Sequence, residues 1–276
     1  LYTPATGWEL AITDGTAAGS TILDLAPGGE GSNIDQMYGL SNGSLIFRNN
    51  NGTNGHEPWI SNGTVAGTRN IGDFNAVGNT EVRSAAVVGN TYFLALHTGD
   101  YWSIWSSDGT RAGSSRLTGR CANNGDPDTY DITGLANGIL FRANDCVYGH
   151  RWWRSDGTVA GTSRLVPFNP ATPYNDVTLM KVGNTRIFVG SSAATGEELW
   201  TTDGSPAGTH VLIDINTANN SSNSDQSIKL GNRWIFGADD GVHGRELWAS
   251  DGTPAGTMML ADINTTTEYS GNSDQQ

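Results

Sequence analysis

Short runs of alternating apolar and polar residues recur along the chain, separated by Asn, Asp and Gly. In the last full repeat, residues 225–263, Ser227-Ile228-Lys229-Leu230 alternates and ends at Gly231-Asn232. Arg233-Trp234-Ile235-Phe236 is rich in strand-forming residues and is broken by Asp239-Asp240-Gly241. Glu246-Leu247-Trp248-Ala249 is a third run, stopped by Asp251-Gly252-Thr253, and residues 257–263 form a fourth. Aromatic and β-branched residues suit a pleated surface, and the residues between the runs suit tight turns. The pattern therefore predicts four antiparallel strands in a hairpin meander. No stretch keeps a helical period between capping residues.

The third turn of this unit recurs six times, at Asp14, Asn62, Asp108, Asp156, Asp203 and Asp251, each followed by Gly and then Thr or Ser. Successive copies lie 46 to 48 residues apart, a constant period that signals repeat architecture. The turn has a local explanation. The Asp oxygen accepts a hydrogen bond from the backbone two residues on, the Gly supplies a positive φ, and the Thr hydroxyl closes the loop. Asn62 fits because an acceptor is needed rather than a charge. A Trp precedes five of the turns (Trp59, Trp105, Trp153, Trp200 and Trp248) and is expected to fill the space between stacked sheets. Ala11 stands there in the first copy, so that gap is expected to be filled otherwise.

Four strands in about 47 residues match one blade of a β-propeller. Six turns imply an all-β, six-bladed propeller of four-stranded antiparallel blades, a single domain over residues 1–276. The second-strand apolar position recurs at Phe47, Leu94, Phe141, Phe188 and Phe236. Residues 1–7 match the tail of a second strand, like residues 190–196, and Ser273-Asp274-Gln275 matches Ser224-Asp225-Gln226. The termini are thus expected to share one blade and close the ring by strand pairing, which removes open edges. The counterparts of residues 228–237, one hairpin, are missing from that blade.

Glu246-Leu247-Trp248, Asp251-Gly252-Thr253 and Gly256-Thr257 resemble the ELWxxDGT repeat family, and Glu198-Leu199-Trp200 with Asp203-Gly204 and Gly208-Thr209 is similar. The resemblance spans the chain. The first four copies depart from it at Leu10-Ala11, Pro58, Ser103-Ile104 and Arg151-Trp152. It implies a propeller-like repeat from large secreted or surface bacterial proteins, with no established reaction and no catalytic residues. The turn is also similar to the Asp-box of sialidase-like propellers, a structural turn remote from the active site, which supports the fold and not that activity.

Composition narrows the function classes. A formal net charge of −13, with a pI near 4.6, argues against nucleic acid and against electrostatic attraction to anionic membranes. No apolar run has transmembrane length, so membrane insertion is not expected. The chain starts at Leu1 rather than Met and reads as a mature chain or a fragment. Cys121 follows a fourth strand, and Cys146 lies between the second and third strands of the next blade. These two loop types share a face, so a Cys121–Cys146 disulfide is reasonable, against the alternative of two free thiols. The bridge would favour an oxidising, secreted setting. Sequons at Asn42, Asn51, Asn62, Asn219, Asn220 and Asn264 would permit glycosylation in a eukaryotic host, though an Asn- and Thr-rich chain produces many by chance.

Propeller ligands are expected on the face made by the loops between blades and between second and third strands. Candidate ligand-binding residues there are Asp35, Tyr130, Asp131, Tyr174, Asp176, Asp225 and His243. Carboxylates and amides with interspersed aromatics suit a sugar, while the bland alternative is ordinary loop composition. Asn50, Asp145, Asp239 and Asp240 offer hard oxygen ligands for calcium, the one cofactor considered, without the spacing of a known calcium loop. Asx turns explain them equally. The five His are scattered, so zinc is not expected. Glycosidase chemistry needs two close carboxylates. The recurring Glu9, Glu57, Glu198 and Glu246 look structural. That leaves Asp35, Glu81, Asp131, Asp176, Asp225 and Asp274 near first-strand starts, with nothing to select a pair. The expected function is a secreted, non-catalytic binding or adhesion propeller for a glycan or an extracellular surface component. Alternatives are a polysaccharide-active hydrolase or lyase using those acids, and a self-assembling structural subunit.

Overall fold

A computed structural model describes residues 1–26, 31–50, 52–53, 55–99, 101–119, 130–144, 147, 150–165, 180–182, 185–218, 221–222, 224–263 and 265. These residues are all-β. The chain forms two compact units, Leu1–Arg164 and Leu165–Gln276. No helix among the described residues is long and apolar enough to cross a membrane.

In the first unit, β1 (Tyr2–Thr3) pairs with β2 (Gly7–Trp8), and β3 (Leu10–Ile12) with β4 (Thr21–Leu23). Three four-stranded sheets follow. The first holds β5 (Asp35–Gly39), β6 (Leu45–Asn50), β7 (His56–Ser61) and β8 (Arg69–Asn70). The second holds β9 (Glu81–Val88), β10 (Thr91–His97), β11 (Trp102–Ser107) and β12 (Ser115–Arg116). The third holds β13 (Tyr130–Leu135), β14 (Gly138–Asn144), β15 (His150–Ser155) and β16 (Ser163–Arg164). The second unit has two more sheets: β17 (Met180–Val182), β18 (Thr185–Ser192), β19 (Gly196–Thr202) and β20 (His210–Ile213), then β21 (Asp225–Leu230), β22 (Arg233–Asp239), β23 (Arg245–Ser250) and β24 (Met258–Ala261). Each four-stranded sheet is an antiparallel meander in chain order, the form of a propeller blade.

The last sheet follows the four predicted runs, with its second strand extended to Asp239. The β1–β2 turn also matches its expected counterpart. Tyr2 pairs with Trp8 and Thr3 with Gly7, as Ser191 pairs with Glu197 and Ser192 with Gly196. The Thr3 and Thr6 hydroxyls bond at 2.7 Å, and those of Ser192 and Thr195 at 2.8 Å. The expected closure through residues 273–275 falls outside the described residues.

Alternation sends successive side chains to opposite faces and builds the core between neighbouring sheets. Val82, Leu94, Leu96 and Trp105 pack with Ile46 and Ile60 of the preceding sheet, while Phe93, Ala95 and Ile104 pack with Ile139 and Phe141 of the following one. In the second unit, Ile187 and Leu199 pack with Phe236 and Trp248. The repeated second-strand apolar residues and the Trp residues are direct cross-strand partners: Phe47 with Trp59, Leu94 with Trp105, Phe141 with Trp153, Phe188 with Trp200 and Phe236 with Trp248. The Phe141 and Trp153 rings stack 6.3 Å apart. Such pairs are the unit from which a sheet gains stability.

The six turns are nearly superimposable in their bonding. In the last, Asp251 Oδ1 accepts from the Thr253 N–H at 2.9 Å and from its hydroxyl at 2.7 Å. That hydroxyl in turn accepts from the Gly256 N–H at 3.0 Å. The Ser250 and Thr257 hydroxyls bond at 2.7 Å, the Gly252 N–H donates to Ser250 Oγ, and the Thr257 hydroxyl donates to the Thr253 carbonyl. The same bonds recur around Asp14, Asp108, Asp156 and Asp203, and around Asn62 with its amide oxygen. The first Gly has φ between 83° and 97° in all six, a region costly for other residues. The second Gly is required sterically, because a Cβ on Gly19, Gly67, Gly113, Gly161, Gly208 or Gly256 would overlap the Asp or Asn side chain folded over it.

This arrangement makes opposite forecasts for two substitutions in one turn. Gly208→Ala drives a methyl into the Asp203 carboxylate and should cost about 1–3 kcal/mol. Asp203→Asn keeps the acceptor and should stay within about 0.5 kcal/mol at neutral pH. Urea unfolding of the two variants checks both.

Candidate functional site

The recurring glutamates are buried ties. Glu57 Oε2 accepts from the Phe74 N–H at 3.0 Å and the Thr80 hydroxyl at 2.8 Å. Glu198 accepts from the Ile215 N–H at 2.9 Å and the Ser222 N–H at 3.1 Å. Glu9 Oε2 accepts from the Leu25 N–H at 3.0 Å and from the Ser32 hydroxyl. Glu246 Oε2 accepts from the Ile263 N–H at 2.8 Å. Glu9, Glu57 and Glu198 each pin a third strand to both ends of the segment leading to the next first strand. In the second four-stranded sheet Ser103 holds this place and receives the Trp105 indole N–H at 2.9 Å.

Burial raises the pKa of Glu9 above the usual carboxylate range, and pushes Glu57 and Glu198 up to about 7. The turn aspartates Asp14, Asp108, Asp156, Asp203 and Asp251 are instead held low, by the N–H and hydroxyl bonds they accept.

The residues singled out from sequence fall in several places. Asp35, Glu81 and Asp225 each open the first strand of a sheet, and Tyr130 and Asp131 open β13. Asp35 is paired across to β6, where Arg48 Nε donates to it at 2.7 Å and Arg48 Nη2 at 2.5 Å. His243 sits on the exposed loop after β22, with Nδ1 2.7 Å from Asp240 Oδ2 and its pKa raised by that contact. Asp240 Oδ1 accepts from the Val242 and His243 N–H groups, Asp239 from Gly241 and Asn50 from Gly52. These oxygens thus close Asx turns. Among the described residues no three His, Cys, Asp or Glu side chains gather as a metal-binding set. Tyr174, Asp176, Asp145, Asp274 and both cysteines of the expected bridge, Cys121 and Cys146, lie outside the described residues.

One site was not singled out. An open cavity of about 470 Å³ in the first unit is lined by Trp8, Glu9, Ala11, Asn33, Ile34 and Met37, among others. Trp8 is 65% exposed and Tyr2 55% exposed, their rings 5.6 Å apart and tilted by 54°. Asn33, at φ 46°, is exposed at its edge, and Met37 adds a further exposed apolar surface. The cavity lies where the repeat departs from itself: Ala11 occupies the register position that carries Trp in the other five copies. The sequence signal was present in Ala11, but nothing in a single chain marks a missing indole as an opening.

Neither a family model nor a curated protein matches the chain. Solved structures similar to it include a puromycin hydrolase (14% identity, TM-score 0.41, covering 80% of this chain and 35% of that one). They also include TolB from Acinetobacter baumannii (15%, 0.41, 88% and 60%) and the β-propeller domain of the Trilobed protease from Pyrococcus furiosus (10%, 0.43, 91% and 73%). The chain thus spans about a third of the first and three fifths of the second. At such identities the likeness concerns architecture alone.

The raised glutamates give a signed pH dependence. Their folded pKa lies above the unfolded value, so the folded state holds extra protons between about pH 4.5 and 7. Their contribution to stability is greatest below that window, falls as pH rises through it and is constant above it. A Glu57→Gln, Glu198→Gln double variant lacks this loss. Its thermal midpoint relative to the natural chain should climb from pH 4.5 to 7 and then level off. Parallel curves across the window would contradict the assignment.

Proposed function

We propose that the chain is a secreted, non-catalytic six-bladed propeller that binds carbohydrate through the cavity beside Trp8. The observation carrying this reading is the exposed Trp8, in ring contact with Tyr2, lining a cavity that Asn33 also lines. A pyranose ring presents an apolar C–H face and a rim of hydroxyls. An aromatic platform suits the first, and a nearby amide suits the second. The acidic chain favours a neutral sugar over an anionic one.

The rest of the molecule supports binding rather than catalysis. The six turn motifs are consumed in internal hydrogen bonds, and each repeated glutamate commits at least one carboxylate oxygen to them. Asp35, a candidate for acid–base work, is neutralised by Arg48. Six copies of the turn support six blades, and the propeller-like meander supplies the rigid frame on which a surface site keeps its shape.

A glycan array probed with the labelled chain tests the reading, with Trp8→Ala and Asn33→Ala as variants. The expected outcome is retention of neutral glycans, weakened at least tenfold by Trp8→Ala and less by Asn33→Ala, with unfolding midpoints unchanged. An array without signal, or a signal indifferent to Trp8→Ala, would reject the site.

A further inference from the structure

We propose that the first four-stranded sheet holds a buried water site formed by Asn49, Glu57 and Trp59. Asn49 and Glu57 are fully buried and Trp59 nearly so. Asn49 stands directly opposite Glu57 across β6 and β7, and Phe47 directly opposite Trp59. Side chains two apart on a strand share a face, so Asn49, Glu57 and Trp59 lie together on one side of the sheet. Four of their polar atoms have no hydrogen-bond partner: Asn49 Oδ1, Asn49 Nδ2, Glu57 Oε1 and Trp59 Nε1. Glu57 Oε2, in contrast, is doubly engaged with Phe74 and Thr80.

The neighbouring sheet shows where the indole points. There Trp105 Nε1 donates to Ser103, two residues earlier on the same strand. In the third sheet the equivalent Trp153 Nε1 donates to the carbonyl of Ala143, the counterpart of Asn49, so both sheets direct this indole toward the pair that Asn49 and Glu57 occupy here. Directly opposed residues have Cβ atoms about 5 Å apart, yet the Asn49 amide and the Glu57 carboxylate make no direct bond. A bridging oxygen would join the two ends.

The atom set identifies the ligand. With Glu57 ionised, above about pH 7, two donors, Asn49 Nδ2 and Trp59 Nε1, and two acceptors, Asn49 Oδ1 and Glu57 Oε1, match a molecule that donates twice and accepts twice. A cation would face two N–H groups and an anion a carboxylate. Buried waters characteristically join groups of this kind. Asn49 is also the residue that breaks the repeat: Leu96, Ala143, Gly190 and Ala238 occupy its position in the other four-stranded sheets. Where Leu96 stands, Ser103 has replaced the glutamate and satisfies the indole itself.

Two measurements test the site. A crystal structure at a resolution that orders solvent should show a peak within hydrogen-bond distance of Asn49, Glu57 and Trp59 Nε1. An Asn49 side chain turned to bond Glu57 directly, with no peak, would overturn the proposal. Water-oxygen magnetic relaxation dispersion on the natural chain, on Asn49→Leu and on Trp59→Phe gives an independent count. Folded Asn49→Leu should lose at least one long-lived water. Trp59→Phe, which keeps the aromatic core and deletes one donor, should at least halve that water's residence time. An unchanged count and residence time in whichever variant folds would sink the idea.

Discussion

The closed hydrogen-bond loop of the Asp-Gly-Thr turn is the constraint on which each sheet depends. The fourth strands β8, β12 and β16 are two residues long. A ladder that short cannot fix its own register, and a slip by one residue would turn every side chain to the wrong face. The turn fixes it instead. One Asp oxygen holds the Thr N–H and hydroxyl, and the flanking hydroxyls, such as Ser155 and Thr162, clasp at 2.7 Å across the loop ends. The chain leaving the third strand is thereby delivered to the fourth in one geometry. This explains why the motif tolerates Asn62 for Asp but places a Gly at both glycine positions of all six copies.

The glutamate ties extend that order from one sheet to the next. Thr80, which donates to Glu57, immediately precedes β9, and Ser222 lies three residues before β21. A carboxylate in this place fixes the angle at which the chain arrives, and its burial is tolerated because N–H and hydroxyl donors meet it. Where Ser103 stands instead, the Thr118 hydroxyl receives the Ile104 N–H at 2.9 Å, so a different residue holds the corresponding segment. The tie is thus a position in the fold that more than one side chain satisfies.

Much of the fold was legible because repetition multiplies weak signals. One Asp-Gly-Thr is a turn; six at a constant spacing define a unit, and the recurring Trp before them pointed to an aromatic core position in each repeat. The hydroxyls flanking each turn and the second Gly were equally regular in the sequence, but their roles depend on the Asp side chain folding back over the Gly, which spacing alone does not reveal. The cavity beside Trp8 was less legible for a related reason. A regular pattern announces what is filled, whereas Ala11 announces only a smaller residue. Whether neighbouring side chains collapse into the space is decided in three dimensions.

In a chain built by repetition, positions that obey the pattern are occupied in holding the scaffold, so chemistry is best sought where the pattern fails. Ala11 breaks the Trp series and leaves an open cavity; Asn49 breaks an apolar series and leaves polar atoms facing one another indoors. The acids first considered for catalysis stand differently. Asp35, Glu81, Asp131 and Asp225 sit at regular positions at the first-strand starts, and the best defined of them, Asp35, is held by Arg48 in two charge-assisted bonds. A departure from the repeat removes a structural duty without removing the rigid frame around it, and that combination is what a binding site requires.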